Sequence, residues 1–147
     1  MIDKFYLIRI FSRIHSAIYN ISKGRVWGKF GKLEFVLLTT TGRKSGKNRS
    51  VPLLLIRANT SLGNKYLLVA SYGGNSVHPA WLLNIRNDPS VHIRVGSEVN
   101  KATASIIEPS DASYEEMWNK VVNTYAAYDN YRNATTRHIP IVSMSFL

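Results

Sequence analysis

Residues 34–57 read EFVLLTTTGRKSGKNRSVPLLLIR. Two runs of β-branched and apolar side chains, Glu34–Thr40 and Arg49–Arg57, flank a turn at Thr41–Asn48 bounded by glycines. Such runs joined by a short glycine-punctuated link predict an antiparallel hairpin. The pattern continues outward. A turn at Asn59–Asn64 leads into a third run, Lys65–Ala70, and Val91–Val95 and Val99–Ile107 flank Gly96. Ile139–Phe146 alternates apolar and polar residues and reads as a final strand. Ser71–Val77 is a glycine-rich loop. Pro79 opens a short helix to about Arg86, stopped by Asp88-Pro89. A helix is expected over Asp111–Tyr125, with Ser113 and Glu116 at capping-box spacing and Ser110 or Asp111 as other caps. A second short helix covers Tyr128–Asn133. Upstream, Leu7, Ile10, Phe11, Ile14, Ala17, Ile18 and Ile21 lie at helical spacing within Ile2–Ile21, and Lys23–Lys32 reads as a loop. Six strands, mostly hairpin-linked, predict a mainly β (α+β) fold: a closed or partly closed antiparallel barrel with flanking helices. A doubly wound sheet is disfavoured, because regular helices do not separate the strands. The chain reads as one domain, with an N-terminal amphipathic helix at 1–22 and a core at 34–147.

Charge is unevenly spread. The net charge is +10, and residues 1–49 hold eleven of the nineteen Lys and Arg against only Asp3 and Glu34. That bias points to an anionic partner: phosphate, nucleic acid or anionic lipid. With no cysteine, disulfides, thiolate catalysis and Cys-ligated metal centres are excluded, which fits a reducing cytoplasm. No apolar run is long enough to span a bilayer. The N-terminal stretch, interrupted by Lys4, Arg9 and Arg13, lacks the h-region of a signal peptide.

Several catalytic patterns fail on spacing. In Gly42-Arg43-Lys44-Ser45-Gly46-Lys47 the glycines are one residue too close for a P-loop, and Asn48 stands where Ser or Thr should hold magnesium. There is no Gly-x-Gly-x-x-Gly fingerprint. His15, His78, His92 and His138 are scattered, so no metal is expected. Ser45 lies outside any Gly-x-Ser-x-Gly elbow. Glu115 and Glu116 are expected on a solvated helix face.

Three constellations remain. In Thr39–Arg49, small residues and glycines let backbone N–H groups form an anion nest, while Arg43, Lys44, Lys47 and Arg49 add four cations. In Ala70-Ser71-Tyr72-Gly73-Gly74, paired glycines after a strand allow close backbone approach to a flat ring. Trp81 and Asn84 follow, one turn apart on a helix face. Tyr125, Tyr128 and Tyr131 recur every three residues and share a broad helix face; their phenols can stack on an aromatic ring and donate hydrogen bonds.

Together these motifs resemble the deazaflavin-dependent nitroreductase family. The resemblance rests on Leu37–Gly46 with Arg49 and Pro52, on Ala70-Ser71-x-Gly73-Gly74, on Pro79-x-Trp81-x-x-Asn84 and on Asp88-Pro89. It also rests on the tail Tyr125-x-x-Tyr128-x-x-Tyr131 with Arg137, Ile139, Pro140 and Ile141. It implies a split β-barrel of the FMN-binding, pyridoxamine-phosphate-oxidase-like type. It also implies coenzyme F420, an 8-hydroxy-5-deazaflavin with a phosphodiester and an oligoglutamate tail. Arg43, Lys44 and Arg49 would hold the phosphate and tail, and Thr41, Pro52, Ala70 and Tyr72 would also belong to the cofactor site. Ser71, Gly73 and Gly74, with Pro79, Trp81 and Asn84, would surround the ring. Ser71, Tyr125, Tyr128 and Tyr131 would face the acceptor, a quinone, enone or nitroaromatic. Tyr72 departs from the family, which often has Lys there. The implied protein is a cytoplasmic oxidoreductase, monomer or homodimer, with no nucleic acid as partner; its basic N-terminal helix either packs on the barrel or meets an anionic membrane surface. The competing readings are an FMN enzyme on the same barrel, a nucleic-acid-binding module, and a cofactor carrier without turnover.

Overall fold

In the computed structural model of the protein, residues 29, 30 and 32–147 are described. The helix expected over residues 2–21 lies outside them. Seven strands occur among the described residues: β1 (Lys29–Phe30), β2 (Leu33–Thr41), β3 (Asn48–Thr60), β4 (Gly63–Val69), β5 (Ser90–Val95), β6 (Glu98–Ile107) and β7 (Ile141–Phe146). Helix α1 is Ala80–Asn87, α2 is Tyr114–Thr124 and α3 is Ala127–Asn133. All strand pairings are antiparallel. Six strands run in the order β2-β3-β4-β7-β6-β5, and β5 pairs back to β2, so the barrel closes as expected.

Closure depends on two strands. β2 pairs with β3 from Glu34 to Thr41, and its centre, Leu37–Thr39, also pairs with β5. β3 changes partner part-way: Leu55 is its last residue opposite β2, and Ile56 its first opposite β4. Pro52 therefore sits where β3 has a strand on one side only, a position that tolerates a missing N–H. The run Leu53–Ile56 does not alternate because both of its faces are covered. Leu55 faces the barrel interior, with Val36, Leu38, Leu68, Ile93 and Val142. Leu54 and Ile56 face outward into a second core.

The helices follow from these two cores. From α1, Trp81, Leu82 and Ile85 enter the barrel core. From α2, Tyr114, Met117, Trp118 and Val121, at helical spacing, cover the outer faces of β3, β4 and β7. Each large side chain so buried contributes about 1.5–3 kcal/mol. The Tyr114 hydroxyl donates to the Ile139 carbonyl at 2.6 Å, and burial pushes this phenol up to about 12. Trp118 donates its indole N–H to Asp129, tying α2 to α3, and Arg132 lies over the same ring.

The structure corrects several expectations. Lys29 and Phe30, read as loop, pair with Glu34 and Leu33. The turn placed at Asn59–Asn64 shrinks to Ser61-Leu62, because Gly63 takes a φ of +90° and Thr60 bonds across the turn. The final strand begins at Ile141, not Ile139. The carbonyls of Ile139 and Pro140 instead bond Tyr114 and the Ala70 N–H. No capping box forms at Ser113, and α2 begins at Tyr114. The Asp111 carboxylate accepts from the Glu108 N–H, a local bond that competes with helix. Glu116, expected in solvent, accepts from the N–H and hydroxyl of Ser61 and holds the β3–β4 turn. Those bonds lower its pKa.

Candidate functional site

The site lies around α1, at the Thr40 end of β2. The turn from Gly42 to Lys47 is closed by Gly42 N–H to Lys47 O and Gly46 N–H to Gly42 O, both 2.8 Å. A Cβ at Gly42 would come within 2.8 Å of Ser45 Oγ and 3.1 Å of the Lys47 carbonyl, so a side chain there would displace Ser45 and crowd the turn. Ser45 Oγ accepts from the Lys47 N–H and from Arg49. Arg43, Lys44, Lys47 and Arg49 take part in no ion pair among the described residues. Four cations with no acidic partner among the described residues concentrate positive charge at this turn.

The turn is pinned from inside. Asn84 is only 4% exposed. Its carbonyl oxygen accepts from the Arg43 backbone N–H at 3.1 Å and from the Arg43 guanidinium at 3.4 Å. Its amide donates to Thr40 Oγ1 at 3.0 Å. Asn84 thus couples the end of β2 and the turn to α1. Trp81, one turn earlier, packs in the barrel core. Both residues, assigned by resemblance to the ring's surroundings, have their contacts with the protein behind the site.

The loop Ala70–His78 lies at the other end of α1. Pro79, the N-cap of α1, follows it with extended ψ rather than entering the first turn as expected. The loop begins with Ser71 in the right-handed helical region, followed by Tyr72 (φ +47°), Gly73 (+62°) and Gly74 (+79°). This sequence of conformations is the backbone signature of a nest, in which successive N–H groups converge. Tyr72 is the one described non-glycine residue with positive φ. Holding a side chain there costs about 1–2 kcal/mol. At Gly74 a Cβ would lie 3.0 Å from the Tyr131 carbonyl and 3.1 Å from Ala134 Cβ, so the loop seats directly on α3. Ser71 is 7% exposed, and its hydroxyl caps nothing and has no hydrogen-bond partner among the described residues.

The three tyrosines come together, though not on one helix. Tyr125 is the extended C-cap of α2, while Tyr128 and Tyr131 belong to α3. Their rings meet edge to face, at 5.3 Å and 6.0 Å between centroids. Tyr128 is 7% exposed, and its hydroxyl has no hydrogen-bond partner among the described residues. Burial raises its pKa strongly, and burial together with the neighbouring Tyr125 phenol raises that of Tyr131.

One residue central to this geometry was visible in the sequence only as part of the family motif. The Arg137 guanidinium donates to the carbonyls of Asn75 (2.8 Å), Ser71 (2.8 Å), Ala70 (3.1 Å) and His138 (3.1 Å), and bonds His78 Nδ1 at 3.2 Å. The available signal was a lone arginine in Thr135–Pro140, a segment without a carboxylate to pair it.

A family model described as F420H(2)-dependent quinone reductase matches residues 11–145. The chain belongs to this family. An F420H(2)-dependent quinone reductase of Mycobacterium tuberculosis (strain H37Rv) is 37% identical over 136 residues, covering 90% of this chain and 88% of that protein. Among solved structures, an F420-H2 dependent reductase is 37% identical with a TM-score of 0.62, covering 76% of this chain and 93% of its own. Another, titled a domain-swapped dimer, is 32% identical with a TM-score of 0.67, covering 90% and 96%. A pyridoxamine 5'-phosphate oxidase-related, FMN-binding protein of Nostoc punctiforme shares the fold at 10% identity, with a TM-score of 0.53. The F420H(2)-dependent quinone reductase family thus accounts for the barrel and for the order of the motifs.

Proposed function

We propose that the chain is an oxidoreductase that uses reduced coenzyme F420 to reduce a small electrophilic acceptor, a quinone foremost. Family membership supports the cofactor and the reaction type. It does not favour the FMN and nucleic-acid alternatives. The observation that carries the assignment to this site is the donor set around α1: four cations without acidic partners at the turn, and two buried hydroxyls, Ser71 and Tyr128, without hydrogen-bond partners among the described residues. That set suits a ligand with a phosphodiester, carboxylates and a polar flat ring.

In this proposal Arg43, Lys44, Lys47 and Arg49 hold the phosphate and tail, and Thr41 and Pro52 flank them. The backbone from Ala70 to Gly74 receives the polar edge of the ring. Asn84 and Trp81 keep turn and helix in place. The bound deazaflavin supplies the hydride. Ser71, Tyr131 and Tyr128 donate hydrogen bonds to the acceptor oxygen, where negative charge develops. Burial keeps both phenols protonated through neutral pH, the form that can donate. Replacing Tyr128 and Tyr131 together by Phe is expected to lower kcat about a hundredfold while cofactor affinity changes little. An unchanged kcat would remove the phenols from the reaction. Tryptophan quenching during separate titrations with the deazaflavin, FMN and duplex DNA tests the ligand itself. Saturable quenching by the deazaflavin at the lowest concentration is expected.

Two finer parts belong to the same proposal. The domain-swapped relative supports a homodimer. No helix among the described residues is long and apolar enough to cross a membrane. The basic amphipathic stretch 2–21 would instead rest on an anionic membrane surface near lipid-soluble quinones. Co-sedimentation with anionic but not neutral vesicles is the expected result.

A further inference from the structure

The loop that faces the proposed ring site is short, left-handed over three residues and poor in side chains. Within the loop, Gly74 N–H bonds Ser71 O, Asn75 N–H bonds Tyr72 O and Val77 N–H bonds Asn75 Oδ1, while Ala70 N–H reaches Pro140 O. What crosses the loop from behind is Arg137. One guanidinium engages four points along it, the carbonyls of Ala70, Ser71 and Asn75 and the ring of His78, while also bonding its own neighbour His138. A planar fork with five N–H donors can do this, and a lysine cannot. The carbonyls of Ala70 and Ser71 point back to the guanidinium.

We infer that Arg137 is a positioning residue for the reaction: it fastens the Ala70–His78 loop in its ring-receiving shape, and His78 makes that fastening sensitive to protonation. The role toward the ring rests on the proposed function, but the fastening is a property of the protein alone. Arg137 only donates, so His78 Nδ1 must accept, and the neutral ring carries its proton on Nε2. Protonated His78 loses that acceptor and faces Arg137 as a like charge. Among the described residues the charged groups acting on His78 are Arg137, Arg86 and Glu108, and Arg86 is paired to Glu108 at 3.1 Å. Desolvation first, and then the Arg137 charge, lower the His78 pKa below its usual 6.5. The sign follows: an open loop binds a proton on His78 more readily than the fastened loop. Fastening is therefore complete above pH 6.5 and weakens as pH falls through the lowered value.

Amide hydrogen exchange of the cofactor-free protein, corrected for intrinsic rates, tests this directly. The four bonded amides of Ala70, Gly74, Asn75 and Val77 are the reporters. In Arg137→Gln, and in Arg137→Lys, their protection is expected to fall about tenfold or more, while that of Leu67 and Leu68 in β4 stays as in the wild type. In the wild type their protection is expected to fall between pH 8 and pH 5.5. In His78→Asn, whose amide oxygen accepts without titrating, that fall disappears. Unchanged loop protection in both Arg137 variants overturns the fastening. So does wild-type protection that is flat with pH, or a pH-dependent fall that persists in His78→Asn. The deazaflavin dissociation constant of the same proteins, by fluorescence titration at pH 8, tests the positioning role. It is expected to rise about tenfold in both Arg137 variants, and lysine at wild-type affinity would overturn that role. A wild type that binds no deazaflavin would instead sink the functional proposal and leave the exchange results to decide the fastening.

Discussion

Replacing Arg43 and Lys44 together by Ala weakens deazaflavin binding by about a hundredfold or more and leaves the thermal midpoint close to wild type. The magnitude follows from two charge-assisted hydrogen bonds to an anion, at about 1.5–3 kcal/mol each. The unchanged stability follows from the surroundings. Arg43 and Lys44 are exposed and in no ion pair among the described residues, and alanine keeps the shorter of the two Arg43 bonds to Asn84, the one from the backbone N–H, losing only the 3.4 Å guanidinium bond. The salt dependence of binding is a second readout, because fewer cations remain to be screened. Fluorescence titration at low and moderate salt measures both. Wild-type affinity in the double variant would remove the turn from the cofactor site.

Asn84→Ala gives the opposite signature, losing stability and affinity together. The amide is buried and satisfies Thr40 Oγ1 on β2 as well as the Arg43 N–H. Without it, Thr40, itself 1% exposed, and the turn amide lose their partners, and the interior gains a small void. Roughly 2–4 kcal/mol of destabilisation is expected, equivalent to a drop of several degrees in Tm. The turn then loses its anchor to α1, and cofactor affinity falls about tenfold although no cation has been removed. Thermal denaturation and the same titration check both effects. A stable variant with weak binding would instead make Asn84 a direct ligand.

These two variants also mark what was legible in the sequence. Hairpin-linked strands and the charge of Arg43–Arg49 could be read from local pattern, because turn chemistry and alternation are local properties. The motif order carried the family. Asn84 was visible as a residue near the ring, but its clamp on Thr40 and Arg43 spans more than forty residues in sequence and no spacing rule reports it. The role of Arg137, visible only as part of the motif, was hidden for the same reason, since its partners at Ala70–His78 are mostly backbone carbonyls, which have no sequence signature. The capping box at Ser113 and Glu116 misled because Glu116 found a better partner in Ser61, across the sheet. The three tyrosines were correctly spaced, yet Tyr125 ends one helix and Tyr128 lies in the next.

The most direct test of the central claim is the oxidation of reduced deazaflavin, followed by its returning absorbance after mixing with the full-length protein and a soluble quinone. The expected result is a rate that requires both protein and quinone, saturates with each substrate and collapses in the Arg43→Ala, Lys44→Ala variant at low cofactor concentration. A rate no faster than the protein-free mixture, over a panel of quinones and at saturating cofactor, would contradict it.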